Sequence, residues 1–296
     1  MRRTVAMLAS LMIGIGLVAM PTAAQAAPAP EGNGPEFQTF PASVVYAIAR
    51  PGVAPAGAND WDCVPSAAHP RPVVLVHGTF ANQFNSWGYL SPRLKAQGYC
   101  VFSFNYGKYY SGVGWGPEVY GTGPVMDAAR ELSAFADRVR SETAAAKVDL
   151  VGYSQGAIVA RGYLKFFGGA NAANPASNKV QKLVSYAGTN HGTTISGLGT
   201  LSVQLGLLGV LTRLTGPAVA DQSVGSAYLT ALNSGGDTMP GINYTILTTK
   251  FDQVSTPYRA SFLTAGPGAT VANIVLQDGC FIDGSDHLSI PFSLRA

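Results

Sequence analysis

Residues 147–167, KVDLVGYSQGAIVARGYLKFF, decide how the rest of this 296-residue sequence is read. KVDLVGYS is an apolar strand-like run that leads directly into Ser154, and GAIVARGYLKFF continues without interruption as a helix. Ser154 therefore stands at a strand-to-helix turn, inside the G-x-S-x-G pentapeptide Gly152-Tyr153-Ser154-Gln155-Gly156. Glycine supplies 35 of the 296 residues, so the pentapeptide alone is weak and its placement between strand and helix gives it weight. Such a turn strains the serine backbone, and it needs residues without side chains two places before and after, so that strand and helix can approach. It also directs the following backbone N–H groups, backed by the positive end of the helix, toward the hydroxyl.

Outward from this turn, short β-branched runs alternate with helix-length amphipathic segments. The spacing predicts strands at 73–76, 100–105, 147–152, 181–187, 243–249 and 271–277, with helices at about 86–97, 125–145 and 156–167. The second helix rests on Met126, Ala129, Leu132, Phe135, Ala136 and Val139, which recur at three- and four-residue spacings. This alternation implies an α/β fold with a mostly parallel central sheet and helices on both faces. A composition of 47% hydrophobic and 12% charged residues supplies one large core. The main domain is expected over 70–296, with an insertion at about 189–240. Residues 27–69 read as an arm lying over the core, with PASVVYAIAR as its one element-like run.

The beginning of the sequence reads as an export signal over residues 1–26. Arg2 and Arg3 form the basic region, Val5 to Val18 the apolar stretch and Ala24-Gln25-Ala26 the cleavage site. The apolar stretch is shorter than the ~20 residues a membrane span needs. Losing the two arginines takes the formal charge from +3 to +1, which excludes nucleic acid as an expected partner. Export makes a disulfide permissible. Cys63 precedes PVVLVHG and Cys100 opens CVFSFNY, so parallel neighbouring strands would put both at one sheet edge, whereas Cys280 follows NIVLQD at the other. The expected pair is Cys63 with Cys100, leaving Cys280 free.

A serine hydroxyl needs a base to take its proton and a carboxylate to orient that base. Of the four histidines, His287 in DGSDHLSI sits in a loop past the last strand and is the expected base. His191 in GTNHGTT is the rival, or a pocket-lining residue. His77 is expected to shape the loop after the first strand, and His69 lies in the arm. The chain order serine, acid, histidine leaves Asp252 best placed, just beyond the 243–249 strand. Asp278, Asp283 and Asp286 read as solvated or turn-capping carboxylates, and Asp221 and Asp237 as turn caps within the insertion. An oxyanion needs preorganised N–H donors, expected from Gln155 after the nucleophile and from Thr79 after the first strand, whose hydroxyl can add a third.

These residues, with RPVVLVHGT, GYCVFSFNYG, KVDLVGYSQG, YLKFFGGA, NHGTT, LNSGGDTMPGINYTILTTKFDQVSTPY and NIVLQDGC, resemble the secreted actinobacterial triacylglycerol lipases of the class 2 lipase family. The resemblance implies an α/β-hydrolase fold, catalytic Ser154, Asp252 and His287, and oxyanion donors Thr79 and Gln155. It differs in having Gln155 where methionine or glycine usually follows the serine, as cutinases also do. The expected function is a secreted serine carboxylic-ester hydrolase without metal or organic cofactor, acting on lipid or other esters, including at a lipid–water interface. A cutinase-like or short-chain esterase, an acyltransferase and a catalytically silent surface-binding protein stay open as alternatives. The apolar stretch ISGLGTLSVQLGLLGVLTRL, Ile195 to Leu214, reads either as core or as an acyl-chain wall carrying Leu205 and Leu208.

Overall fold

The computed structural model describes residues 31–50, 52–109, 120–194 and 216–296. The expected signal at 1–26 and the 195–214 stretch with Leu205 and Leu208 lie outside the described residues. Strands β1 (Val73–Val76), β2 (Val101–Ser103), β3 (Val148–Tyr153), β4 (Val180–Tyr186), β5 (Asn243–Thr248) and β6 (Thr270–Val275) form one sheet. Its order is β2-β1-β3-β4-β5-β6, and every neighbouring pair is parallel.

Helices are α1 (Phe40–Ala49), α2 (Gln83–Trp87), α3 (Leu90–Ala96), α4 (Val125–Glu142), α5 (Gln155–Phe166), α6 (Pro217–Asp221) and α7 (Ala227–Asn233). Side chains alternate across a strand, so the sheet feeds two cores. Val74, Val76 and Leu150 pack with residues of α4 and α5 on one face, while Val73, Leu75, Val151 and Tyr153 pack with Trp87 on the other. On α4 the buried stripe is Val125, Ala128, Ala129, Leu132, Ala136 and Val139. Burying side chains such as Leu132 and Val139 contributes about 1.5–3 kcal/mol each. Helix α5 has almost no free face, because every residue from Gln155 to Leu164 is buried.

One expected helix divides in two. In place of a single helix at about 86–97, α2 starts earlier and stops at Trp87, and α3 resumes at Leu90. The early start has a local cause: the Asn82 side chain accepts from the N–H groups of Phe84 and Asn85, and Asn85 Oδ1 accepts from Asn82 N–H at 2.9 Å. This reciprocal cap satisfies donors that a helix start leaves open.

The arm is pinned to the sheet. Tyr46 of α1 packs at a tilt against Phe84 of α2 with centroids 4.8 Å apart, and Asn59 N–H donates to Val101 O at 2.8 Å. Cys63 and Cys100 form a disulfide and Cys280 is free, as their strand positions implied.

Asp221 and Asp237 act differently from simple turn caps. Asp221 Oδ2 accepts from Val125 N–H at 2.9 Å, capping α4 from 96 residues away. Asp237 lies in a polar tie around Arg161, a side chain of α5 only 3% exposed. Arg161 donates to Asn190 O at 3.2 Å, to Asn233 Oδ1 at 2.7 Å and to Asp237 O at 2.9 Å. His191 Nε2 lies 3.0 Å from Asp237 Oδ1, and its Nδ1 lies 2.9 Å from Ala260 O. Both partners are pure acceptors, so the ring makes both bonds only as the imidazolium. The Asp237 hydrogen bond accordingly raises the His191 pKa against the effect of burial. Burial works to raise Asp237 in turn, but the bonds from His191 and Thr264 N–H, with the Arg161 charge, hold it below its usual value.

Two outcomes follow from these ties. Replacing Cys63 and Cys100 by alanine together should lower the unfolding free energy by about 4 kcal/mol, the loop-closure value for a 37-residue separation. Denaturant titration of both proteins measures it. His191, with its raised folded pKa, stabilises fully below its unfolded value of 6.5, and this contribution is lost as pH rises through the folded value. The melting-temperature deficit of His191→Gln should therefore be larger near about pH 5.5 than near about pH 9. A deficit independent of pH would show that the charge is not what stabilises.

Candidate active site

A parallel sheet sends every strand's carboxyl end to one edge, and the loops leaving that edge carry the candidate residues. At the end of β3, Ser154 has φ 53° and ψ −118°, a conformation that costs about 1–3 kcal/mol. The flanking glycines permit it. A Cβ on Gly156 would lie 2.1 Å from Val76 O, and one on Gly152 would lie 2.6 Å from the Gly156 carbonyl carbon. Any larger residue would push α5 away from β1 and β3. Ser154 N–H donates to Tyr186 O at 2.8 Å, which ties the turn to the end of β4.

The structure brings Ser154, His287 and Asp252 together across 133 residues of chain. His287 Nε2 lies 3.0 Å from Ser154 Oγ, and Nδ1 lies 3.0 Å from both Asp252 carboxylate oxygens. All three residues are buried. Asp252 Oδ1 also accepts from the N–H groups of Val254 at 2.8 Å and Ser255 at 2.7 Å. Facing a carboxylate, Nδ1 carries the ring hydrogen, and Nε2 is left to accept from the serine hydroxyl. The His287 backbone is held from both sides. Tyr153 Oη donates to His287 O at 3.0 Å, and His287 N–H donates to Gln253 Oε1 at 3.1 Å. Burial, reinforced by the charges of Asp252 and Asp286, keeps the Tyr153 phenol protonated and able to donate.

The other acids next to His287 are occupied elsewhere. Asp278 pairs with Lys250 at 2.8 Å, Asp283 accepts from Ser285 N–H and Ser293 Oγ at 2.8 Å, and Asp286 accepts from Ser289 N–H at 2.9 Å. His191 has its ring nitrogens engaged by Asp237 and Ala260 O, and His69 packs at a tilt against Tyr99 with centroids 3.8 Å apart.

His77 shapes the loop after β1. It stacks on Tyr106 at 4.1 Å, its Nδ1 lies 2.8 Å from Gly78 O, and its Nε2 accepts from Tyr106 N–H at 3.3 Å. Burial lowers its pKa to about 4 despite the Gly78 hydrogen bond, so the ring is neutral at ordinary pH. That matches its partners, one an acceptor and one a donor. The Tyr106 hydroxyl donates to His77 O at 2.5 Å.

This loop brings Thr79 close to the nucleophile. A Cβ on Gly78 would sit 3.2 Å from Ser154 Cβ, so the backbone there passes directly beside the serine. Gln155 is the first residue of α5, where a helix leaves N–H groups without intrahelical partners. Its side chain is held in place: Nε2 donates to Gly121 O at 3.1 Å, and Oε1 lies 3.0 Å from Tyr106 Oη, sharing that hydroxyl's one hydrogen with His77 O. Among the described residues, neither the Thr79 nor the Gln155 backbone N–H donates to a protein acceptor. The arrangement can therefore combine a polarised hydroxyl with two unspent N–H donors.

The sequence carries no sign of several residues that hold this geometry. Tyr153 and Gln253 orient His287, and Gln222 donates from Nε2 to Thr79 Oγ1 at 2.8 Å across 143 residues. Only the pairing partners in space identify them.

Comparison with known proteins agrees with this architecture. A family model described as Lipase (class 2) matches residues 70–266. Aspergillus fumigatus lipase B is similar in structure, with a TM-score of 0.57 at 17% identity over 79% of this chain and 51% of that one. The mature form of Bacillus licheniformis lipase BlEst2 is similar with a TM-score of 0.51 at 18% identity, over 77% of this chain and 88% of that one. This chain thus spans about half the length of the Aspergillus protein. At such identities the structural likeness concerns the fold, and the family rests on the match over 70–266. With its parallel six-stranded sheet and the strained serine turn at the end of β3, the chain belongs to the class 2 lipase family and has the α/β-hydrolase fold.

Proposed function

We propose that the protein is a secreted carboxylic-ester hydrolase that acts on acylglycerols through Ser154, His287 and Asp252. The observation that carries this reading is the unbroken chain of contacts from Ser154 Oγ to His287 Nε2 and from His287 Nδ1 to Asp252, each 3.0 Å long. In the forward step Ser154 Oγ attacks the ester carbonyl carbon while His287 Nε2 takes its proton. Asp252 stabilises the imidazolium that results. Negative charge gathers on the carbonyl oxygen, where the N–H groups of Thr79 and Gln155 receive it. The imidazolium then protonates the departing alcohol. Water attacks the acyl-enzyme with the same imidazole as base and releases the acid.

A lipid substrate is supported by the surroundings. Phe80, Phe251 and Leu288, the chain neighbours of Thr79, Asp252 and His287, are 51%, 54% and 44% exposed. Large apolar side chains exposed on the loops that carry the reactive residues suit an apolar ligand. Secretion is supported by the Cys63–Cys100 disulfide, which persists in an oxidising compartment. No helix among the described residues is long and apolar enough to cross a membrane.

A fluorophosphonate probe should label Ser154 and no other residue, with loss of labelling in Ser154→Ala. Folded wild-type protein that stays unlabelled would remove the hydrolase reading. Ser154→Ala, His287→Ala and Asp252→Asn should each lower turnover by roughly ten-thousandfold, because each removes or misorients one member of a single proton-transfer unit. Asp278→Asn, on the Lys250 surface pair, should stay near wild type. Rates on esters of increasing acyl length, below and above substrate solubility, then separate acylglycerol hydrolysis from a short-chain preference. Activity that falls steadily with chain length and gains nothing above solubility would refute the lipid assignment.

A further inference from the structure

Gln222 follows α6 and is 4% exposed, and every polar atom of its side chain is engaged. Its Nε2 donates to Ala218 O at 3.0 Å and to Thr79 Oγ1 at 2.8 Å, while its Oε1 accepts from Thr189 Oγ1 at 3.2 Å. The amide has one sensible orientation. Turned over, it would set its oxygen against the Ala218 carbonyl oxygen, two acceptors with no hydrogen between them. Both amide hydrogens are thereby assigned, one to Ala218 and one to Thr79.

The Thr79 hydroxyl has a single hydrogen, and its oxygen is already an acceptor toward Gln222. That hydrogen must point away from Gln222, and no described residue offers it an acceptor. Thr79 is also the residue whose backbone N–H is unspent beside Ser154. We propose that Gln222 is a positioning residue for the oxyanion site. By donating to Thr79 Oγ1 it aims the threonine O–H at the ester carbonyl oxygen, making the hydroxyl a third oxyanion donor. This rests on the reading of Ser154 as an ester-attacking nucleophile.

Two physical effects make the contact useful. A hydroxyl that accepts a hydrogen bond becomes a better donor, since the bonds polarise one another. A hydroxyl held in one rotamer also has no ordering cost left at the transition state, an effect worth about two- to tenfold. The platform is anchored well enough for this. Gln222 O accepts from Thr193 N–H at 2.9 Å, Gln222 N–H donates to Ala218 O at 3.1 Å, and Ala218 N–H donates to Thr122 O at 3.1 Å. Asp221, the preceding residue, is bound to the start of α4.

The test is a double-mutant cycle on a soluble short-chain nitrophenyl ester, with kcat and KM measured separately and melting temperatures recorded. Thr79→Val should lower kcat by about tenfold to a hundredfold with KM little changed, since the donor acts on developing charge. Thr79→Ser, which keeps the hydroxyl, should stay within a fewfold of wild type. Gln222→Leu should lower kcat by about two- to tenfold in the wild-type and Thr79→Ser backgrounds. In the Thr79→Val background it should lower kcat no further, because there is no hydroxyl left to aim. An equal loss in all three backgrounds would mean a structural role only and would overturn the proposal. If Gln222→Leu does not fold, Gln222→Met takes its place in the cycle. Full kcat in Thr79→Val overturns the proposal with no change at residue 222. Failure of the hydrolase reading is seen separately, as wild-type protein without esterase activity or Ser154 labelling.

Discussion

The contact between the start of α5 and the end of β1 is the constraint on which the rest of the structure depends. Gly156 approaches the Val76 carbonyl so closely that a methyl group there would lie 2.1 Å from its oxygen. With helix and strand this near, Ser154 has no relaxed conformation available and is held at positive φ. That strain persists only because α5 is enclosed by protein nearly all round and cannot move off. The hydroxyl, the Gln155 N–H and the loop around Thr79 are consequently related to one another by a helix and a strand, which place groups more accurately than loops do.

What the turn presents, distant parts of the chain complete. Asp252 and His287 come from loops after β5 and β6; Asp252 is held by the N–H groups of Val254 and Ser255 in its own loop, and His287 by residues adjoining the other two members. Tyr153 precedes the serine and holds the histidine carbonyl, while Gln253 follows the aspartate and holds the histidine N–H. The histidine is thus braced by a neighbour of each of the other two members. A second layer of the same kind, Tyr106 with His77 and Gln155, and Gln222 with Thr79, braces the donor side.

Among the described residues there are two histidine–aspartate pairs, and their difference lies in the second ring nitrogen. At His287 that nitrogen meets a hydroxyl, which can donate, so the ring is satisfied while neutral and is ready to accept a proton. At His191 it meets the Ala260 carbonyl, which only accepts, so the ring is satisfied when charged. The same two residue types are suited to proton transfer in one place and to an ion pair in the other.

Much of this was legible in the sequence. The strands, the α4 stripe, the Ser154 turn, the Cys63–Cys100 pairing and the trio of Ser154, Asp252 and His287 follow from periodicity, from residues flanking strand ends and from chain order. Those features depend on local backbone preference and on the common direction of parallel strands, which a sequence encodes position by position. The division of the 86–97 helix is not legible in the apolar spacing, because the Asn82–Asn85 cap starts a separate short helix at Gln83 that ends at the buried Trp87. Asp221, Asp237 and His191 were misjudged or left open for another reason: a buried polar group takes its role from whatever acceptor or donor faces it. Gln222 is the extreme case, an ordinary glutamine in sequence whose meaning rests on one amide hydrogen and a threonine 143 residues away. The sequence by itself determined which groups were available and on which edge of the sheet they emerge. Only the tertiary structure decided their partners, because hydrogen bonds are satisfied in space, without regard to separation along the chain.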